Sequence, residues 1–355
     1  MDLVGDLLCD RLRLNESLAP QRVRPVMSFR GTQPGKSARF FGRFVQYPRL
    51  LRRLISDFDL FHIVDHSYAH LVHELPAGRS IVTCHDLDTF RCLLEPDREP
   101  RSFAFRSMTR RILSGLQAAA HVTCDTVATC DAILRHHLIP SDRLSVVYNG
   151  VHPSLSAQPE KAADDELVGK LDREPGNGLE LLHVGSTIQR KRIDVLLRVF
   201  AEVRKQYPGL KLIRVGAPLT REQEQLASSL GVLEHIDFLD HLDSRLLGAC
   251  YRRASLLLQP SESEGFGLPV IEAMACGTPV IASDIPPLRE IGGDAIQYCP
   301  VADFDAWSDT ALRSLRRKQA EQEELRALAL QRAARFTWQN YANSMFDIYQ
   351  QVWSA

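Results

Sequence analysis

The chain contains no run of about 18 apolar residues, so its sequence encodes no membrane-spanning helix. Its 8 cysteines (9, 84, 92, 124, 130, 250, 276 and 299) include no Cys-x-x-Cys pair, which leaves out a zinc ribbon and a thioredoxin-type redox motif. No His/Cys spacing suits zinc or iron, and no metal is expected. Several cysteines lie inside apolar runs and read as reduced, buried thiols of a cytosolic protein. Aromatics make up only 7% and the net charge is -1, which gives no basic face for nucleic acid. With 45% hydrophobic residues the chain is too apolar for disorder. Asp2, Asp6, Asp10 and Glu16 are unlike a secretory signal.

What is present is size. A chain of 355 residues exceeds what one hydrophobic core usually serves, so two domains are expected. Residues 1–155 hold 20 Lys/Arg against 16 Asp/Glu, and the remainder 23 against 28. The basic stretches YPRLLRRLI (47–55) and FRSMTRRILSGL (105–116) suit either helices that bury leucine and expose arginine, or contact with an anionic membrane surface. The expected location is cytoplasmic, with peripheral contact at the inner membrane face left open.

Apolar strand-length runs alternate with amphipathic helix-length segments in two series. The first has strands at 23–28, 60–64, 80–84, 120–124 and 144–148, with helices near 47–56, 66–73, 103–118 and 126–137. The polar stretch 156–178 reads as a join between domains. Strands then recur at 179–185, 210–215, 235–239, 254–259 and 278–282, with helices near 192–206, 220–230, 243–252 and 268–275. This alternation predicts an α/β protein with two Rossmann-like, doubly wound parallel sheets, over 1–155 and 179–335, facing across a cleft. Ligands of such sheets bind beyond the carboxyl ends of the strands. The chain opens on a helix-like segment, MDLVGDLLCDRL, where such a domain normally opens on a strand and a glycine-bearing loop. The first strand is therefore expected to be missing or replaced.

The segment 254–283, ASLLLQPSESEGFGLPVIEAMACGTPVIAS, reads as strand, loop, helix and strand. Pro269 suits a first helical turn, and Gly277 suits a helix stop. Gly265 and Gly267 permit close backbone approach, and the amides of a helix start favour an anion such as a diphosphate. Glu264 lies at the loop tip and Glu272 eight residues on. A carboxylate beside a phosphate site commonly binds ribose hydroxyls, which suits Glu272, while Glu264 is placed to meet a transferred sugar. Both glutamates would equally serve as partners of the helix dipole. In LLHVGSTIQRKRIDVLLRVF (181–200), Arg190 and Lys191 suit neutralisation of a leaving diphosphate, or simply a solvated basic turn. The strand IVTCHDLDTF (81–90) ends in His85 and Asp86.

The string PSESEGFGLPVIEAMACGTPVIAS resembles, almost position for position, the donor-site segment of retaining family 4 glycosyltransferases, which have the two-domain GT-B fold. The resemblance implies Glu264 for the donor sugar and Glu272 for the ribose. It gives Gly265, Phe266, Gly267 and Leu268 to the backbone cradle for sugar and phosphate. It extends to Gly185 and Lys191, which match a Gly-Arg loop followed by a diphosphate-gripping lysine. Ser186 stands where the family has arginine, and Arg190 is the candidate substitute. His85 matches a histidine that approaches the sugar across the cleft. YNGVHP (148–153) resembles the family's close of the first domain, and FTWQNYANSMFDIYQQVW (336–353) its last helix, which returns to that domain.

The implied activity is metal-independent, retaining transfer of a hexose-type sugar from a nucleotide diphosphate sugar to a glycan, lipid or other acceptor, as in cell-surface polysaccharide or glycoconjugate synthesis. The donor is a substrate, and no cofactor is expected. A sugar-nucleotide epimerase or phosphorylase on the same scaffold, or a non-catalytic nucleotide-sugar-binding module, would share the site.

Overall fold

The computed structural model describes residues 2–23, 40–176 and 178–354. The strand expected over 23–28 lies outside them except for Val23, which is in no strand. The chain divides into two compact units, residues 1–149 with 338–355, and residues 150–337.

The first unit holds a parallel sheet of four strands in sequential order: β1 (Phe61–Ile63), β2 (Ser80–Cys84), β3 (His121–Cys124) and β4 (Leu144–Val146). Every residue of β2 and β3 is buried, as expected of parallel strands covered on both faces. The helix Phe103–Ala118 begins at Ser102, whose hydroxyl accepts from the Phe105 amide, and buries Thr109, Ile112, Gly115 and Leu116. Gly115 must be glycine, because a Cβ there would lie 2.0 Å from the Ala69 carbonyl oxygen. Residues 66–73, expected as an α-helix, form the tighter 3₁₀ segment His66–Glu74, opened by the Asp65 side chain on the Ser67 amide. The opening helix Asp2–Leu12 buries Val4, Leu8 and Leu12 with Trp338, Tyr341, Met345 and Ile348 of the helix Trp338–Ser354.

The second unit holds six parallel strands: β5 (Glu180–Val184), β6 (Lys211–Val215), β7 (Ile236–Leu239), β8 (Leu256–Gln259), β9 (Val280–Ser283) and β10 (Gln297–Cys299). Their order is β10-β9-β8-β5-β6-β7, the doubly wound arrangement in which the chain leaves a central pair in opposite directions. Strand β10 is absent from the sequence expectation.

The stretch 156–178, read as a join, instead carries the helix Lys161–Leu171. Ala163, Leu167 and Leu171 recur at helical spacing and are buried in the second unit's core with Leu246, Ala249 and Cys250. Ion pairs fix the chain just beyond this helix: Arg173 meets Glu180 and Asp237, each at 2.7 Å, and Arg253 meets Glu180 at 2.5 Å.

Candidate functional site

In the second unit, β5 and β8 are neighbours, and the connections that come after them run to opposite sides of the sheet. The loops beyond their carboxyl ends diverge, and a crevice at such a point is where open parallel sheets hold ligands. After β5 come Gly185, Ser186 and a short turn, Gln189–Lys191. After β8 come Ser261 to Gly267, and then the helix Leu268–Cys276. The two loops are stitched together: the Glu262 amide donates to the Arg190 carbonyl at 2.8 Å, and Arg190 Nη1 donates to the Ser263 carbonyl at 2.6 Å.

This stitching brings three predicted residues together. Glu264 Oε1 accepts from Lys191 Nζ at 2.5 Å, and Oε2 accepts from Arg190 Nη1 at 3.2 Å. The Glu264 side chain is only 6% exposed. Burial alone would raise its carboxyl, but Lys191, a hydrogen bond from Ser261 and the Arg190 charge outweigh that and hold it below the ordinary value. Glu264 is therefore a buried carboxylate, ionised at neutral pH and shared by two cations. Gln259, which the sequence reading missed, donates from Nε2 to Glu264 Oε1 at 2.6 Å and to Ser261 Oγ at 3.1 Å. The available signal was a glutamine closing the otherwise apolar strand Leu256–Gln259.

Glu272 sits in different surroundings. Its Oε2 accepts the Tyr251 hydroxyl at 2.7 Å, and burial pushes its carboxyl above the ordinary value, partly offset by that bond. The two acids thus differ in the direction of their shifts, and no hydrogen bond or ion pair joins Glu272 to the Lys191 cluster among the described residues. The Phe266 ring belongs to the core, edge-on to Phe336 at 6.0 Å, which leaves its backbone as the part able to line a site. Gly267 caps the helix Leu268–Cys276 at φ 105°, and a Cβ there would come within 2.5 Å of Leu288 Cδ2. The positive φ is what calls for glycine at the point where the loop turns into the helix, with Leu268 as its first residue. Gly185 donates its amide to Val215 O at 3.0 Å, and Ser186 beside it is half-buried.

His85 belongs to the first unit. Its Nδ1 meets Asp125 Oδ2 at 2.6 Å and its Nε2 meets the Val64 carbonyl at 2.8 Å, so both ring nitrogens are engaged by the protein. Burial opposes the charged ring, but Asp125 and the Val64 carbonyl outweigh it, and the pKa is pushed up to about 9. The expected approach of His85 to a sugar through a ring nitrogen is thus not available in this arrangement, which is a buried ion pair bracing the end of β2. Because the folded value lies above the ordinary 6.5, the stabilisation is complete below pH 6.5 and is lost as pH rises through about 9. The expected loss is on the order of 3 kcal/mol, followed by denaturant unfolding at stepped pH, and His85→Gln is expected to flatten that limb. His62 acts in the opposite sense. Burial and His85 hold it down to about 3, so its contribution is lost as pH falls below 6.5.

Asp57-Phe58-Asp59, Asp86-Leu87-Asp88 and Asp303-Phe304-Asp305 are three D-x-D triplets, a pattern that often marks metal-binding transferases. Asp86 Oδ1 accepts the Asp88 amide at 3.0 Å, a local turn. Among the described residues no group of three or more His, Cys, Asp or Glu side chains is arranged to hold a metal. No helix among them is long and apolar enough to cross a membrane.

Two family models match the chain: Glycosyltransferase Family 4 over residues 7–155, and Glycosyl transferases group 1 over residues 170–342. It is 32% identical over 239 residues to a D-inositol 3-phosphate glycosyltransferase of Rhodococcus opacus, covering 64% of this chain and 52% of that protein. The O-antigen chain mannosyltransferase B of Escherichia coli is 29% identical over 287 residues, covering 79% of this chain and 72% of that protein. The chain spans about half the length of the first of these curated relatives. Among solved structures, WaaG, a glycosyltransferase involved in lipopolysaccharide biosynthesis, superposes with a TM-score of 0.73 at 16% identity, covering 98% of this chain and 95% of that one. Anabaena HepE in complex with UDP and glucose gives a TM-score of 0.72 at 17% identity, covering 88% and 83%. With its two parallel α/β sheets and both models matched, the chain belongs to glycosyltransferase family 4 and has the GT-B fold.

Proposed function

We propose that the chain is a retaining, metal-independent hexosyltransferase that moves a sugar from a nucleoside diphosphate carrier to a glycan, lipid-linked or other acceptor in cell-surface polysaccharide or glycoconjugate synthesis. The observation that carries this reading is the buried Glu264 carboxylate shared by Lys191 and Arg190 at the β5/β8 divide. Two cations against one carboxylate leave the cluster net positive, which suits an entering diphosphate.

In the proposed reaction the bond from the sugar's anomeric carbon to the diphosphate oxygen breaks, and a bond from that carbon to an acceptor hydroxyl oxygen forms on the same face. The hydroxyl proton passes to the departing phosphate oxygen. Lys191 and Arg190 neutralise the diphosphate as its charge grows, and so take the place a metal ion would fill. Glu264 orients the sugar, Glu272 accepts from the ribose, and the backbone from Gly265 to Leu268, with Gly185 and Ser186, lines the carrier. His85, with both nitrogens engaged, stays outside the reacting set. The O-antigen chain mannosyltransferase relative supports a cell-surface acceptor.

The test is a thermal-shift screen of UDP-, GDP- and ADP-sugars, then transfer assays on an acceptor panel with and without EDTA, with the product anomer read by NMR. One carrier is expected to stabilise the protein, the product to keep the donor's configuration, and EDTA to leave the rate unchanged. Inversion, an altered free nucleotide sugar, or abolition by EDTA would sink the respective part.

A further inference from the structure

A further cation lies inside the same sheet, in a place that packing alone does not explain. Arg214 of β6 and His183 of β5 are register partners, so they share one face of the sheet with Leu181 and Leu212. Arg214 is 1% exposed and takes part in no ion pair among the described residues. Its Nη1 donates to the Val215 carbonyl at 2.6 Å, while Nε and Nη2 are buried without a partner among the described residues. Both ring nitrogens of His183 are likewise buried and unpartnered. A buried guanidinium with no carboxylate beside it is costly, and burial lowers its pKa to about 10.

The neighbourhood indicates what offsets that cost. A Cβ on Gly216 would lie 2.3 Å from the Gly185 carbonyl oxygen and 3.3 Å from Arg214 Nη1. A Cβ on Gly185 would lie 3.6 Å from His183 Cε1 and 3.9 Å from Lys191 Cε. Arg214, His183 and Lys191 are therefore separated by little more than the two glycine backbones. Burial, Arg214 and Lys191 together drive His183 well below its ordinary value, so the ring stays neutral and adds no competing charge.

We propose that Arg214 is a third cation of the diphosphate site, a buried charge that acts through the Gly185 and Gly216 backbones on the anion Lys191 and Arg190 meet directly. It supplies positive charge that Ser186 does not. This rests on the reading that the ligand is a nucleoside diphosphate. Arg214 is a positioning residue: it sets the field at the phosphates without touching the reacting atoms.

The test compares wild type, Arg214→Met and Arg214→Lys by calorimetry with UDP, GDP and ADP, and with the nucleoside of whichever binds. Arg214→Met is expected to weaken the nucleoside diphosphate about ten- to a hundredfold and to leave the nucleoside nearly unchanged. The factor is expected to be the same at about 50 mM and about 500 mM salt, because buried charge is little screened. Arg214→Lys keeps the charge and is expected to stay within about fivefold of wild type. A loss under about fivefold in Arg214→Met, or an equal loss for the nucleoside, overturns the assignment. If Arg214→Met does not fold, Arg214→Gln is measured in the same way: a loss above about fivefold for the diphosphate alone upholds the assignment, and a smaller loss or an equal loss for the nucleoside overturns it. Wild type binding none of the three diphosphates would fail the donor reading itself, whereas wild-type binding with an unaffected variant fails only Arg214.

Discussion

Replacing Glu264 with glutamine is expected to lower turnover about a hundredfold or more while the bare nucleoside diphosphate binds several-fold tighter. The two effects have opposite signs because the carboxylate has two roles. Within the protein it holds Lys191 at 2.5 Å and Arg190 at 3.2 Å, the same cations a diphosphate would claim. Removing its charge frees them for the ligand, and removes the group that orients the sugar. Glutamine keeps an oxygen for Gln259 Nε2, so the local bonding survives better than with alanine. Stability is also expected to fall, by roughly 3 kcal/mol, since two largely buried cations lose their carboxylate. Because Glu264 is held below its ordinary value, its stabilisation is present above that value and lost as pH falls through the folded one. Steady-state kinetics and calorimetry read the two signs. Unchanged turnover would remove Glu264 from the chemistry, and weaker nucleotide binding would show that the carboxylate organises the cations rather than competing for them.

Lys191→Met is expected to lose about a thousandfold in kcat/KM, with the greater part in kcat. Methionine keeps the apolar stem that lets the 9%-exposed residue pack under the loop, so the loss isolates the ammonium charge. Charge on the departing diphosphate peaks as the glycosidic bond breaks, which is why turnover suffers more than binding. A second reading comes from Glu264. With its nearest cation gone, burial gains weight over the remaining Arg190 charge, and the carboxyl is expected to titrate higher than in wild type. The acid limb of the pH–rate profile should therefore move to higher pH. A loss confined to KM, with the acid limb in place, would assign Lys191 to ground-state binding alone.

Most of the architecture was legible because parallel strands covered on both faces must be apolar almost throughout. SIVTC (80–84) and LLLQ (256–259) announce themselves that way. Strand β10 did not, since Gln297, Tyr298 and Cys299 are too few and too mixed to carry a pattern. The helix Lys161–Leu171 was hidden by composition, because its three buried residues are spread among charges that resemble a linker. At the site, the loop after β8 and the cations after β5 were readable, since a helix start next to glycines and acids has a recognisable spacing. Gln259, His183 and Arg214 were not: a single polar residue inside a strand says nothing about which strand lies beside it. His85 shows the same limit from the other side. The sequence marks a histidine at a strand end, but Asp125, 40 residues on, and the Val64 carbonyl decide that neither nitrogen is spare.

The helix Trp338–Ser354 belongs with the first unit although all 188 residues from 150 to 337 come between. During synthesis, Val4, Leu8, Leu12 and Val147 emerge long before Met345 and Ile348, the residues that cover them. The amino-terminal sheet must wait, partly uncovered, while the intervening unit has all its own strands and is free to finish first. Nonsense changes within Trp338–Ser354 should therefore unravel the unit begun before residue 150 and spare residues 150–337. On the ribosome, protease sensitivity of the leading half should persist until its closing helix clears the exit tunnel.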